Sequence, residues 1–217
     1  MITYSLGGHV DDECGFAALL DQLDRVLEEA GDERVTLCGV SYGGLIALRY
    51  AATRPSRVAA LVLVSTPAPG WTPQKWICRY ARWPRLAAPL FLARSPGRIW
   101  PEIRRAHDNV AAAARFGLTH LARVVCAPFS APLMGARVRL LLREDFQPDA
   151  ARIAVPTLIV TGVAGLDRVV PVEVTHAYRS LIPGARSVTI ERTGHIGLIT
   201  RPDRFAEIVE AFVAAAA

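Results

Sequence analysis

At 217 residues and 52% hydrophobic content, the chain is long enough to bury a substantial core as one globular unit carrying an insertion. Its net charge is +5 and it has four cysteines, none in C-x-x-C spacing, which argues against a zinc or dithiol site. No charged start leads into an apolar leader core, and no apolar run approaches the ~20 residues that span a bilayer. The expectation is a cytoplasmic, reduced protein with no integral membrane segment.

Ile2 to Leu6 reads as a strand. Gly15 to Ala30 reads as a helix, with Phe16, Leu19, Leu20, Leu23, Val26 and Leu27 in one stripe. Val35 to Cys38 is a short β-rich run, expected to be a buried strand with Cys38 an ordinary buried thiol. Leu45 to Ala52 has helical composition and stops at Arg54-Pro55. Between them lies Gly39-Val40-Ser41-Tyr42-Gly43-Gly44. A serine hydroxyl is a poor nucleophile at neutral pH, so it needs exposure, a base, and amide N–H groups facing the oxyanion that forms. A Gly-x-Ser-x-Gly turn meets the first and last of these needs. Gly39 and Gly43 lack a Cβ and let strand and helix approach closely, Ser41 takes a strained backbone at the tip, and the Tyr42 amide faces the oxyanion. The plainer account is a surface glycine turn with a chance serine, but the order strand, turn, helix is the one the chemistry requires.

Ala60 to Ser65 is a further strand, and the chain then changes character. Residues 71–148 hold all four tryptophans and several Pro-punctuated helical stretches, Gln74 to Ala81, Pro101 to Phe116, Leu118 to Val125 and Pro132 to Leu142. Placed between two strands, this stretch reads as a helical cap over a substrate pocket. Its twelve arginines and Lys75 face only Glu102, Asp108, Glu144 and Asp145, a balance of +9, while the rest of the chain carries −4. The excess suits an anionic substrate or an acidic membrane surface. The plainer account, which the sequence favours, is a solvated face whose arginine stems cover apolar surface. No arginine cluster has the spacing of a phosphate cradle or a nucleic-acid motif, so nucleic-acid binding is not expected.

Thr157 to Thr161 is a second buried strand, and Asp167 is the only acid in the loop that follows. Ser187 to Glu191 is another, followed by Thr193-Gly194-His195-Ile196-Gly197. Asp167 alone reads as a helix cap or a partner for Arg168, and His195 alone as a surface histidine. Ser41, Asp167 and His195 nevertheless fall on three successive loops at one edge of a parallel sheet, where such sheets place their ligands. That is a triad arrangement. Arg204 to Ala217 closes the chain as a core helix with Phe205, Ile208, Val209, Phe212 and Val213 on one face.

GVSYGG at the first turn, GLDRVVPV at the second, TGHIG at the third and ITYSLGGH near the start together resemble the α/β hydrolases, over residues 1–70 and about 152–217. The resemblance implies a doubly wound, mostly parallel sheet, divided as a first core part (1–70), a helical cap (71–148) and a second core part (149–217). It also implies hydrolysis through an acyl-enzyme. A serine at position 41 sets the chain apart from the family's dehalogenase and epoxide hydrolase branches. In the family a second oxyanion donor comes from a loop after a strand well upstream of the elbow. Here one strand and one helix precede Ser41, so the opening hairpin, the third strand and that loop are expected to be missing, and Met1 reads as an internal start of a longer chain. Ile2 to Leu6 must then pair with the elbow strand or leave backbone groups unpaired. Gly7 or Gly8 is the substitute source of an amide, and an exposed sheet edge favours self-association.

The expected activity is cleavage of an ester or related acyl bond in a small to medium, largely apolar substrate. Ser41 is the nucleophile, His195 the base, Asp167 its orienting acid and the Tyr42 amide the oxyanion donor, with no metal and no organic cofactor. Two alternatives stay open: a binder with little turnover, and acyl transfer or carbon–carbon bond hydrolysis on the same triad.

Overall fold

The computed structural model describes residues 1–4, 6, 15–127 and 130–216. In chain order the elements are α1 (Gly15–Ala30), β1 (Val35–Val40), α2 (Tyr42–Thr53) and β2 (Val58–Val64). Four helices follow: α3 (Lys75–Arg82), α4 (Pro84–Ala106), α5 (Val110–Cys126) and α6 (Ala131–Arg143). The chain returns through α7 (Gln147–Ala151) to β3 (Thr157–Thr161), α8 (Val172–His176), α9 (Tyr178–Leu181), β4 (Arg186–Thr189), α10 (Gly197–Thr200) and α11 (Pro202–Ala216).

The strands form one parallel sheet in the order β1-β2-β3-β4. β2 reads VAALVLV, a nearly unbroken apolar run, because both of its faces are covered. Leu61 and Leu63 join the core under α1 and α2, while Ala60, Val62 and Val64 join the smaller core under Ile208 and Phe212 of α11. The expected α/β sheet, parallel and flanked by helices, is therefore present. α1 is fastened to α2 by Asp24, which accepts from the Tyr50 hydroxyl at 2.6 Å and from Arg54 Nε at 2.7 Å.

Three expectations are corrected. No strand forms at residues 2–4 or 6, and the sheet partner recorded for β1 is β2. With no ladder to join, this segment is held by side chains instead: Tyr4 and Leu6 pack against the larger core, and the Leu6 carbonyl accepts from Arg137 at 3.5 Å. Cys38 is exposed rather than buried, because α11 packs over β2 while Cys38 lies on β1, at the sheet margin. Its neighbours still push the thiol up to about 11 by desolvation. The stretch expected as one helix from Pro101 to Phe116 is divided at 107–109, where Asn109 caps α5 by accepting from Ala112 N at 2.8 Å. Its first part belongs to a longer helix, α4, which contains Pro89, Pro96 and Pro101. Among the described residues no single helix is long and apolar enough to cross a membrane.

Candidate active site

All four strands run the same way, so the loops after β1, β3 and β4 emerge at one sheet edge. The turn after β1 carries Ser41 at φ 51°, ψ −119°, a positive-φ conformation that costs a non-glycine residue energy and survives only when its surroundings enforce it. Two hydrogen bonds enforce it here: Ser41 N–H donates to the Val64 carbonyl at 2.8 Å, and the Ser41 carbonyl accepts from Gly44 N at 3.0 Å. Glycines permit the approach. A Cβ on Gly39 would sit 2.5 Å from the Gly43 carbonyl oxygen and the Gly44 Cα. Gly43 departs from expectation, since a Cβ there would meet nothing within 4 Å. Gly44 has the second close contact, because a Cβ on it would lie 1.9 Å from Thr66 Oγ1. The helix enters beside the end of β2, so Gly44 faces the neighbouring strand while Gly43 points away.

Tyr42 is the first residue of α2, so its N–H is among the four that find no acceptor inside a helix. Its ring packs 5.7 Å from Phe16. Its hydroxyl is buried with no hydrogen-bond partner among the described residues, and burial raises its pKa. Gly7 and Gly8, the expected source of a second amide, lie outside the described residues.

Asp167 is buried at 6% exposure and fully engaged. Oδ1 accepts from Val169 N and Val170 N, each at 2.9 Å, and Oδ2 faces His195 Nδ1 at 3.0 Å. A carboxylate satisfied in this way fits an imidazole that carries its proton on Nδ1, which leaves Nε2 free to accept one. The two loops touch closely enough to demand glycine. A Cβ on Gly194 would lie 2.5 Å from the Leu166 carbonyl oxygen, and one on Gly162 would lie 2.5 Å from that of Thr193. Val163 N also donates to the Thr193 carbonyl at 2.8 Å. The structure thus brings His195 and Asp167 together. Ser41 shares their sheet edge, but among the described residues no hydrogen bond joins its hydroxyl to His195. Such contacts are often loose until substrate arrives.

Sequence reasoning missed Glu102. This α4 carboxylate is 1% exposed and accepts from Ile196 N at 3.0 and 3.2 Å through its two oxygens. Burial raises its pKa, while hydrogen bonds from the backbone of Gly194 and Ile196 hold that rise in check. The residues on either side of His195 are therefore held by a buried acid from another part of the chain. Arg192 adds a second tie, donating to the Arg105 carbonyl at 3.0 Å and to Asp108 at 2.7 Å. The available signal was a lone Glu after Pro101 in an arginine-rich stretch, which does not point to His195. Arg98, also missed, donates to the Arg168 carbonyl in the acid loop. A cavity of about 530 Å³ opens there beside Asp167, with Trp71, Trp76, Arg94 and Val169 among its walls. The Arg98 and Arg94 guanidiniums lie 5.2 and 5.8 Å from the Trp76 ring centre.

A family model described as the alpha/beta hydrolase fold matches residues 3–202, running through the helical segment as well as the two parts recognised in the sequence. RutD of Klebsiella pneumoniae (strain 342), whose name gives carbamate hydrolysis as a provisional activity, is 31% identical over 93% of this chain and 74% of its own length. The pimeloyl-[acyl-carrier protein] methyl ester esterase of Edwardsiella ictaluri is 30% identical over 87% of this chain and 72% of its own. Among solved structures, an esterase from Exiguobacterium antarcticum superposes with a TM-score of 0.74 at 23% identity, over 92% of this chain and 74% of that one. The fold is shared.

Proposed function

Since the chain belongs to the α/β hydrolase family and is a hydrolase of that class, we propose that it cleaves an ester or related acyl bond through a covalent acyl-enzyme on Ser41. The observation that carries this reading is the 3.0 Å contact between Asp167 Oδ2 and His195 Nδ1, with the other carboxylate oxygen taken by two backbone amides. That pair, emerging at the same sheet edge as a strained serine, is what a proton-relaying base requires.

Ser41 Oγ adds to the substrate carbonyl carbon while its proton passes to His195 Nε2. Asp167 keeps the imidazole oriented and stabilises the positive charge that forms. The Tyr42 N–H, at the start of α2, stabilises the oxyanion. Collapse of the tetrahedral species expels the leaving alcohol or amine, which takes the proton from Nε2 and leaves an acyl group on Ser41. Water then attacks that ester, gives a proton to His195, and releases the carboxylic acid and free serine. No oxidant or reductant enters the balance.

The helical segment from α3 to α6 acts as a cap in this reading. Trp71, Trp76 and Val169, in the walls of the cavity beside Asp167, suit a small to medium, largely apolar acyl substrate. The names of the relatives, a methyl ester esterase and a carbamate hydrolase, support acyl chemistry of this kind. Labelling by a fluorophosphonate probe tests the proposal. Folded protein should be labelled, while Ser41→Ala, His195→Ala and heat-denatured samples should not. A folded wild-type chain that stays unlabelled would sink the acyl-enzyme reading and leave ligand binding without turnover.

A further inference from the structure

Helix α5 turns its apolar stripe outward. Val110, Leu118, Leu121, Val124 and Val125 are exposed, Leu118 at 68% and Val125 at 74%, and the residue α5 commits to the core is Ala113. A helix in a globular protein normally directs such a stripe inward. At 100° per residue, Leu118, Leu121 and Val125 fall within one third of the helix circumference, with the exposed Arg115 and Arg123 on the adjoining polar face. α4 adds exposed Leu86, Leu90, Leu92 and Trp100. Between α4 and α5 runs an open groove of about 820 Å³, lined almost wholly by aliphatic side chains and Trp100, with Ser95 and His120 as its polar members.

Charge identifies the occupant. The segment 71–148 carries thirteen basic side chains against four acids. Of these acids, Glu102 is buried, Asp108 pairs with Arg192 and Glu144 pairs with Arg49. The field around the groove is therefore positive. A second copy of the chain would set one such field against another, and like charges disfavour that contact. An apolar stripe flanked by arginines, with tryptophan at its margin, matches the interface of an anionic bilayer. We propose that α4 and α5 form a docking surface for an anionic phospholipid membrane, on which the protein lies without spanning it. This surface is independent of the hydrolytic reading, because the α5 residues named for it are not part of the triad loops.

The test is flotation of the purified 217-residue chain with vesicles of phosphatidylcholine, alone or with roughly one third phosphatidylglycerol. Binding to the anionic vesicles should be about tenfold or more tighter than to the neutral ones and should weaken with salt. The triple variant Leu118→Gln, Leu121→Gln, Val125→Gln should lose it. Arg115→Gln and Arg123→Gln should each weaken it by about fivefold. All of these side chains are exposed, so circular dichroism melts should match wild type, and unchanged fluorophosphonate labelling would separate this surface from the active site. Folded wild type that floats with neither vesicle, or equally with both, would overturn the proposal. A dimer that dissociates in the triple variant would assign the groove to a second copy. Retention on poly-glutamate without vesicle binding would assign it to an acidic protein.

Discussion

The sheet and the helical segment between β2 and α7 are built from similar aliphatic residues, yet they dispose of them in opposite ways. Every residue of β3 is buried, and β2 is nearly so. α4 and α5 instead leave Leu86, Leu90, Leu118, Leu121 and Val125 in solvent. The loops that carry Ser41, Asp167 and His195 belong to the well-buried half, where close glycine contacts leave little freedom. The helical segment reaches those loops through a few polar ties: Glu102, Arg98, and the Arg105 and Asp108 partners of Arg192. The contrast is one of anchorage: the loops sit on buried strands, and the helical segment meets them through these polar ties while α6 packs Leu140 into the larger core.

The largest expected effect comes from striking the sheet half at Ser41, the proposed nucleophile. Ser41→Ala should lower kcat/KM by on the order of 10⁵-fold or more with the fold intact, and His195→Ala should do the same. Steady-state hydrolysis of a simple ester checks both. Asp167→Asn should cost about 10⁴-fold, because the amide favours the wrong tautomer of His195. An effect below tenfold would mean that the 3.0 Å contact is structural only.

Glu102 tests the tie between the halves. Glu102→Ala leaves the Ile196 N–H without its acceptor and should lower kcat by roughly tenfold to a hundredfold through misplacement of His195. Glu102→Gln keeps an acceptor and should recover most of the rate. The carboxyl is raised above its ordinary value of 4.5. Its proton therefore stabilises the fold fully below pH 4.5, and that contribution is lost as pH rises through the raised value. The melting temperature of wild type relative to Glu102→Gln should fall over that interval. A flat difference would remove burial as the cause.

The smallest effect separates two adjacent glycines. Gly44→Ala would press a methyl against Thr66 and should destabilise by about 1–3 kcal/mol in denaturant titration. Gly43→Ala meets nothing within 4 Å and should be neutral or slightly stabilising.

Much of the sheet half was legible because its signals are local. α1 runs from Gly15 to Ala30 as its stripe predicts, and a glycine-flanked serine between an apolar run and a helix announces its own geometry. The Asp167 and His195 loops were readable from strand ends. Contacts between distant segments were not. Nothing near Glu102 in sequence marks it as the acceptor for Ile196, and Gly43 and Gly44 look alike until the end of β2 is seen to lie against only one of them. Ile2 to Leu6 has a strand's composition, but a strand also needs a hydrogen-bonding neighbour, and composition does not supply one. α4 escaped prediction because its three internal prolines read as punctuation.

The helical segment is anchored at both of its ends beside the sheet. Val64 of β2 and Val160 of β3 are paired neighbours, so the helical segment leaves and re-enters the core on adjacent strands. Arg49 of α2 clasps the returning chain, donating to Asp149 and to the Asp145 carbonyl, each at 2.7 Å, and pairing with Glu144. The paired strands and the Arg49 clasp thus hold the two ends of the excursion together. Doubling the length of such an excursion adds only about 0.6 kcal/mol of closure entropy. Insertions in the outward-facing parts of α4 and α5 are therefore expected to be tolerated, provided that Glu102 and the partners of Arg192 keep their hold on the His195 loop.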